Sequence, residues 1–331
     1  MSFIVRTKKL MSEFCLAALS AGAAAGGQYP EAQITNGIAT AKFYLPDAER
    51  GYYRGTRFDW SGQIYSLQTL GHEYFGVWND KYDPKLHDAI TGPVEEFVGN
   101  DSSIGYAEAK PGGTFVRIGV GAVRKTDDKP YQRFSTYDIV DYGKWKIRKG
   151  DDWIEFIHEL GNTNGYSYRY TKTIRLTKGQ PEMFIEHKLE NTGKKPLQTS
   201  QYNHNFFVID NLPTGPDSVV KYPFDLVPKD PVTGGLGEVH GGTIVYLKEL
   251  QTGESFFNEF TGFGPSPLDY DIRVSNKKAG TAVRIQGDRP ISRIVYWSIR
   301  TTFCPEEYID LEVAPGQSTA WTYTYDFYQM K

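Results

Sequence analysis

Residues 200–211, SQYNHNFFVIDN, set one histidine between Asn203 and Asn205 and run directly into Phe206 and Phe207. An imidazole has a reference pKa of about 6.5, so His204 can give or take a proton near neutral pH, which no other unperturbed side chain does. Upstream, EHKLENTGKKPLQTSQYNHNFF reads as a strand, an Asn-Thr-Gly turn and a returning strand. That would hold His204 at a sheet face or rim on rigid backbone. Residue types alone leave two readings open, a working acid or base and a polar residue in a turn.

Other clusters carry usable chemistry. In FCPEEY, Glu306 and Glu307 follow Pro305 between two strand-like runs, where a carboxylate held at a strand end could act as a general base. Neighbouring side chains on extended backbone point to opposite faces, so one of the two is expected inside and the other wet. The same rule admits at most one of Glu95 and Glu96, in GPVEEF, to a pocket. In RGTRFDWSG, Arg54 and Arg57 could fork onto ligand oxygens, with a surface pair to Asp59 as the plainer alternative. GHEYFGVWND places His72 and Glu73 beside Tyr74, Phe75 and Trp78. Aromatic faces with an imidazole and a carboxylate suit a sugar, whose ring is apolar on its faces and hydroxylated at its edge. His158 and His187 fall on apolar faces of strand-like runs, where a hydrogen-bonded core histidine is the default. His87 and His240 stand in loop-like sequence without a second ligand at metal spacing, so no metal site is expected.

The elements that must position these groups are strands. Tyrosine and phenylalanine are abundant, 23 and 19 residues, and period-two alternation recurs, as in Met183, Ile185, His187 and Leu189 against Phe184, Glu186, Lys188 and Glu190. Turn sequences such as NTNG, TKGQP, NTGKKP and APGQ separate the runs, which include TFVRIGVGAVRK, WIEFIHEL and RIVYWSIR. An all-β fold of large antiparallel sheets follows, with a long loop expected between about residues 91 and 130. The formal net charge of -3 and the lack of a long basic run leave no footprint for nucleic acid and favour a small neutral ligand. Cys15 and Cys304 make no disulfide framework. Residues 1–27 combine a basic start, a short apolar stretch and small residues, which predicts an export leader, with a cytoplasmic N-terminal helix or a disordered tail as the alternative, ahead of one domain over 28–331. No later segment reaches the roughly 18 apolar residues of a membrane span.

At these motifs the chain resembles the aldose 1-epimerase (galactose mutarotase) superfamily. The strand pair with its N-T-x-x-x-P-L turn, the His-x-Phe-Phe run at His204, the segment FCPEEY and the closing LEVAPGQSTAWTYTYDF occur in family order. The resemblance implies a β-supersandwich with a sugar cleft on one sheet face. It implies His204 as the acid that protonates the ring oxygen and Glu306 as the base on the anomeric hydroxyl. It sets YYRGTRF, with Arg54 and Arg57, against the family's substrate-binding arginine, and His72 against its first histidine. Asn203 and Glu96 join them as candidate substrate contacts. Proline precedes the glutamate here rather than following it, so Glu306 and Glu307 both stand as candidates for the base. The N-R and H-G-G signatures of the family's first half are missing. The expected activity is interconversion of sugar anomers by general acid-base catalysis, which needs no cofactor. A sugar-binding protein without turnover, and a polysaccharide lyase or hydrolase on the same fold, are the alternatives.

Overall fold

Alternation of buried and exposed side chains turns the expected runs into long strands. In the computed structural model, which describes residues 28–331 except 80, 100, 101 and 233, Glu182–Asn191 buries Met183, Ile185, His187 and Leu189 on one face. The leader expected over residues 1–27 lies outside the described residues. Two antiparallel sheets dominate. One has ten strands, centred on Thr281–Gly287, Ser318–Gln329, Glu182–Asn191 and Tyr166–Leu176. The other has six, in the order Val227–Pro228, Ser255–Thr261, Arg293–Ile299, Thr302–Val313, Leu197–His204 and Val94–Val98. The only helical element among the described residues is the short 3-10 turn Pro267–Asp269, and no helix is long and apolar enough to cross a membrane. The fold class is therefore all-β, with the large antiparallel sheets that the turn chemistry required.

The two sheets pack face to face over one continuous apolar cluster that includes Ile185, Ile294, Ile309, Leu311, Tyr323 and Tyr325. Polar groups cross the same interface in pairs. The Tyr323 hydroxyl donates to Gln201 (2.6 Å), and Asn203 donates to the Tyr325 hydroxyl (3.1 Å). Glu95, fully buried, receives the Lys172 ammonium and sits 2.9 Å from His187 Nε2. Burial works against its charge, yet Lys172 and His187 hold its pKa below the ordinary carboxylate value. A second apolar cluster covers the outer face of the six-stranded sheet, with Phe58, Trp78, Tyr202, Phe206, Val295 and Tyr308 among its members. Loops before residue 93 and after residue 124 lie over this face.

The long loop expected within 91–130 joins the strands Val94–Val98 and Thr114–Arg117, with Gly121–Arg124 following as a further strand. The run TFVRIGVGAVRK is a hairpin broken at Gly119, whose φ of 77° and contact with the Asp59 carboxylate leave no room for a side chain. One expectation about local structure changes: Glu306 and Glu307 do not sit at a strand end but inside the twelve-residue strand Thr302–Val313. Pro305 is tolerated there because regular pairing with Leu197–His204 stops at Gln201–Ile309, so its missing N–H breaks no ladder bond on that side. The Asn205 side chain instead donates to the Pro305 carbonyl at 2.7 Å.

The buried Glu95 ion pairs make a test of this architecture. Replacing Glu95 by Ala leaves the buried Lys172 with only the Ser61 carbonyl and no carboxylate partner, and is expected to cost about 3–5 kcal/mol of stability. Denaturant titration of the wild type and E95A checks this; a loss below about 1 kcal/mol would mean that the interior tolerates the lone ammonium.

Candidate active site

Strand register decides which side chains meet. The pairing Leu197–Val313 to Gln201–Ile309, continued by three residues, sets His204 opposite Glu306, and Glu306 in turn pairs with Val295 of the next strand. Tyr202 pairs with Glu96, and Arg293 with Tyr308. Residues His204, Tyr202, Glu306, Tyr308, Glu96, Val295 and Trp297 thus share the outer face of the six-stranded sheet. Their immediate neighbours Asn203, Glu307 and Glu95 face the interior.

His204 Nε2 lies 3.2 Å from Glu306 Oε1, with both side chains about 5% exposed or less. The imidazole is fixed by rings. Phe206 stacks on it at 3.7 Å between centroids, and Trp78 stacks on the far side of Phe206 at 4.9 Å. Such contacts contribute roughly 0.5–1.5 kcal/mol each beyond burial. Phe206 reaches this place through a left-handed backbone, φ 41°, a conformation that L residues adopt only under tertiary constraint. Phe58 and Trp297 present their edges to the imidazole from two further directions. Gly92 packs so closely on the His204 carbonyl that a methyl group there would collide with it.

Behind the pair lies a charge cluster. The Glu96 carboxylate takes Arg57 Nε at 2.8 Å, a forked contact from Arg133 at 3.0 and 2.8 Å, and Arg117 Nη2 at 3.4 Å. Burial acts to raise its pKa, but Arg133 and Arg57, with Arg117, hold it well below the carboxylate range. Tyr202 donates to the same carboxylate at 2.5 Å and receives both Arg57 and Arg133. Arg133 also reaches the Tyr308 hydroxyl, which donates to Glu306 Oε2 at 3.5 Å.

The protonation pattern follows from this setting. Burial, assisted by Arg57, drives the His204 pKa well below its ordinary value. Burial also pushes Glu306 up to about 7, with Arg133 and Arg57 opposing. Near neutrality burial therefore favours the neutral imidazole and keeps part of the Glu306 population as the uncharged acid. This reverses the expectation of a partly protonated His204, because loss of hydration outweighs the nearby carboxylate. His204 Nδ1 is buried without a hydrogen-bond partner.

A cavity of about 200 Å3 opens onto the pair, lined by Arg57, His87, Asp88, Arg133, Phe134, His204, Phe206, Phe257, Val295, Trp297 and Glu306. It is of the order of one monosaccharide, with aromatic walls for a ring face. A larger open groove of about 650 Å3 runs past Ser200, Asp310 and Glu312. Its polar groups pair among themselves, Ser200 with Asp310 and Gln198 with Glu312, and no acid-base pair faces it.

Of the residues singled out in the sequence, His204, Glu306 and Arg57 line the cavity. Glu96 stands behind it, saturated by arginines. Glu307 is on the opposite face, hydrogen-bonded by Tyr222 at 2.6 Å, so the two glutamates are not one dry and one wet: both are buried. Arg54 bonds the Glu49 carbonyl, His72 pairs with Asp210 at 2.8 Å, and Asn203 points between the sheets, so none of the three lines the cavity. His158 is a core histidine held by Tyr168 and by the Tyr142 carbonyl, each at 2.9 Å. Among the described residues no cluster of His, Cys, Asp or Glu could hold a metal. Sequence reading missed Arg133, Phe134, Phe257 and Trp297, and passed over His87. Only the aromatic and arginine content of QRFS at residues 132–135 could have drawn notice to the first two.

No protein-family model and no curated protein matches the sequence. Solved structures do match over nearly the whole chain. A protein of Synechocystis sp. PCC 6803 superposes with a TM-score of 0.57 at 13% identity, covering 92% of this chain and 97% of its own. The GalM/aldose epimerase homologue of C. elegans gives 0.53 at 13%, covering 91% and 99%. A galactose mutarotase-like protein of Lactobacillus casei ATCC 334 gives 0.51 at 12%, covering 90% and 100%. The chain therefore has the galactose mutarotase-like fold. At this identity the likeness is one of fold, and it places the chain as a divergent example of it.

Glu307 yields a stability prediction. Burial raises its folded pKa to about 8, above an ordinary value of 4.5, so its contribution is full below pH 4.5 and is lost as pH rises through 8. In melting experiments between pH 5 and 9, Glu307→Gln should flatten the alkaline fall in Tm. An unchanged pH slope would show that Glu307 ionises freely.

Proposed function

We propose that this protein is an aldose 1-epimerase-type enzyme that interconverts the anomers of a single sugar in the cavity at His204 and Glu306. The carrying observation is the buried 3.2 Å contact of an imidazole and a carboxyl in an aromatic-walled cavity on this fold. Mutarotation opens a hemiacetal: one proton must leave the anomeric hydroxyl while another reaches the ring oxygen. A shared proton serves this directly. In the tautomer with carboxylate and imidazolium, Glu306 takes the hydroxyl proton as His204 delivers one to the ring oxygen, so the C–O ring bond breaks and the open aldehyde forms. The pair is then carboxyl and neutral imidazole, the form burial favours. Rotation about the C1–C2 bond and the reverse transfer close the ring as the other anomer. The pair finishes as it began, and neither oxygen carries full charge. Arg57 and the rings of Phe206, Phe257 and Trp297 hold the sugar against the pair.

General acid-base participation contributes about 10²–10⁴-fold, so His204→Ala and Glu306→Gln should each reduce kcat/KM by at least about 100-fold in polarimetry on freshly dissolved single anomers. A wild type no faster than buffer on every aldose tested, or variants that equal it, would falsify the enzyme reading. The pH profile is a separate check. Above about pH 7 Glu306 loses the proton the pair must share, leaving no acid, so turnover should fall as pH rises through 7. Arg133 and Arg57 lower the Glu306 pKa, so Arg133→Met should move this limb to higher pH; a shift to lower pH contradicts the assignment.

A further inference from the structure

The charge cluster behind the cavity is more than a scaffold. Arg57, Arg117 and Arg133 converge on one carboxylate, Glu96, leaving an excess of positive charge. The tyrosines within it do not compensate, because burial keeps the Tyr202 phenol neutral far above its usual range. Two of the arginines face the cavity, Arg57 at 8% and Arg133 at 19% side-chain exposure. Each directs its Nε and Nη2 to Glu96 or a tyrosine hydroxyl, and no hydrogen bond among the described residues uses either Nη1. Both are held before any ligand arrives. The Arg57 guanidinium lies between the Phe58 and Phe134 rings, 4.4 and 4.8 Å from their centroids, and Arg133 is clamped by its fork on Glu96. The other acids at the cavity are Asp88, 30% exposed on the rim beside His87, and Glu306.

We propose that the cavity selects sugars bearing a carboxylate, the uronic acids, with the acid group on the unused guanidinium N–H donors of Arg57 and Arg133. A neutral aldose would leave the positive charge in excess of Glu96 unmatched, whereas a carboxylate matches guanidinium geometry and is drawn by the local field. A carboxylate joined directly to the ring also suits a cavity of about 200 Å3 better than the longer phosphate ester. The small neutral ligand favoured by the overall charge of -3 gives way to this local excess, since a bulk charge says little about a buried cluster. The proposal rests on the reading of this cavity as a sugar site but not on turnover.

Calorimetric binding of galacturonate, glucuronate, galactose, glucose and glucose 6-phosphate to the full chain, at low and at high salt, tests it. Charge-assisted hydrogen bonds of about 1.5–3 kcal/mol correspond to uronates binding about 10- to 100-fold more tightly than their neutral parents, the ratio shrinking with salt. Arg133→Met should collapse the ratio toward one, and Arg133→Lys should retain part of it, with melting curves confirming that each variant is folded. Equal affinity of wild type for uronate and parent aldose overturns the proposal without reference to any variant. So does a preference for the phosphate over both uronates, or an Arg133→Met variant that is folded and keeps the full ratio. Uronate preference without anomerisation would sink the enzyme reading and leave this one standing. Anomerisation of neutral aldoses without uronate preference would do the reverse.

Discussion

Two adjacent buried carboxylates set the terms for the rest of the molecule. Glu95 and Glu96 occupy one short strand, both without solvent contact, and extended backbone sends them to opposite faces of the sheet. An isolated buried carboxylate is costly enough that each must be met by cations. Glu95 therefore draws Lys172 and His187 from the facing sheet, tying the two layers together, while Glu96 gathers Arg57, Arg117 and Arg133 from three separate segments. One strand thus serves as the electrostatic hinge between core and cavity.

The contact of His204 with Glu306 inherits its character from that arrangement. The arginines placed by Glu96 act on His204 and Glu306 in the same direction, disfavouring positive charge on the imidazole and favouring negative charge on the carboxyl. Burial works against charge on both. The outcome is an imidazole and a carboxyl 3.2 Å apart whose surroundings resist charge on either group. The stack of Trp78, Phe206 and His204 fixes the imidazole in place beside the carboxyl.

Much of the fold was legible because period-two alternation and turn chemistry are local. The strand Glu182–Asn191 and its turn at residues 191–196 follow from neighbouring residues alone. Pro305 misled for a related reason: a local rule ends strands at proline, but here Pro305 falls in a gap in the regular pairing between Gln201–Ile309 and the bridge Phe207–Phe303, so the strand runs on past it. At the site, His204 stood out through its setting, whereas Arg133 and Trp297 did not. A lone arginine in a loop and a tryptophan in a strand carry no mark of what they will face across 71 and 93 residues of chain.

The amino-acid sequence by itself determined that the chain builds large antiparallel sheets, that His204 ends a strand, and that one glutamate of each adjacent pair faces away from the other, since all three depend on alternation along extended backbone. The tertiary structure decided the rest. Register across the sheet chose Glu306 over Glu307 as the partner of His204, because only the former shares its face. Packing from distant segments placed the arginines, removed water and so inverted the protonation expected of a histidine beside a carboxylate. Those are properties of what surrounds a group in space, and no spacing along the chain encodes them locally.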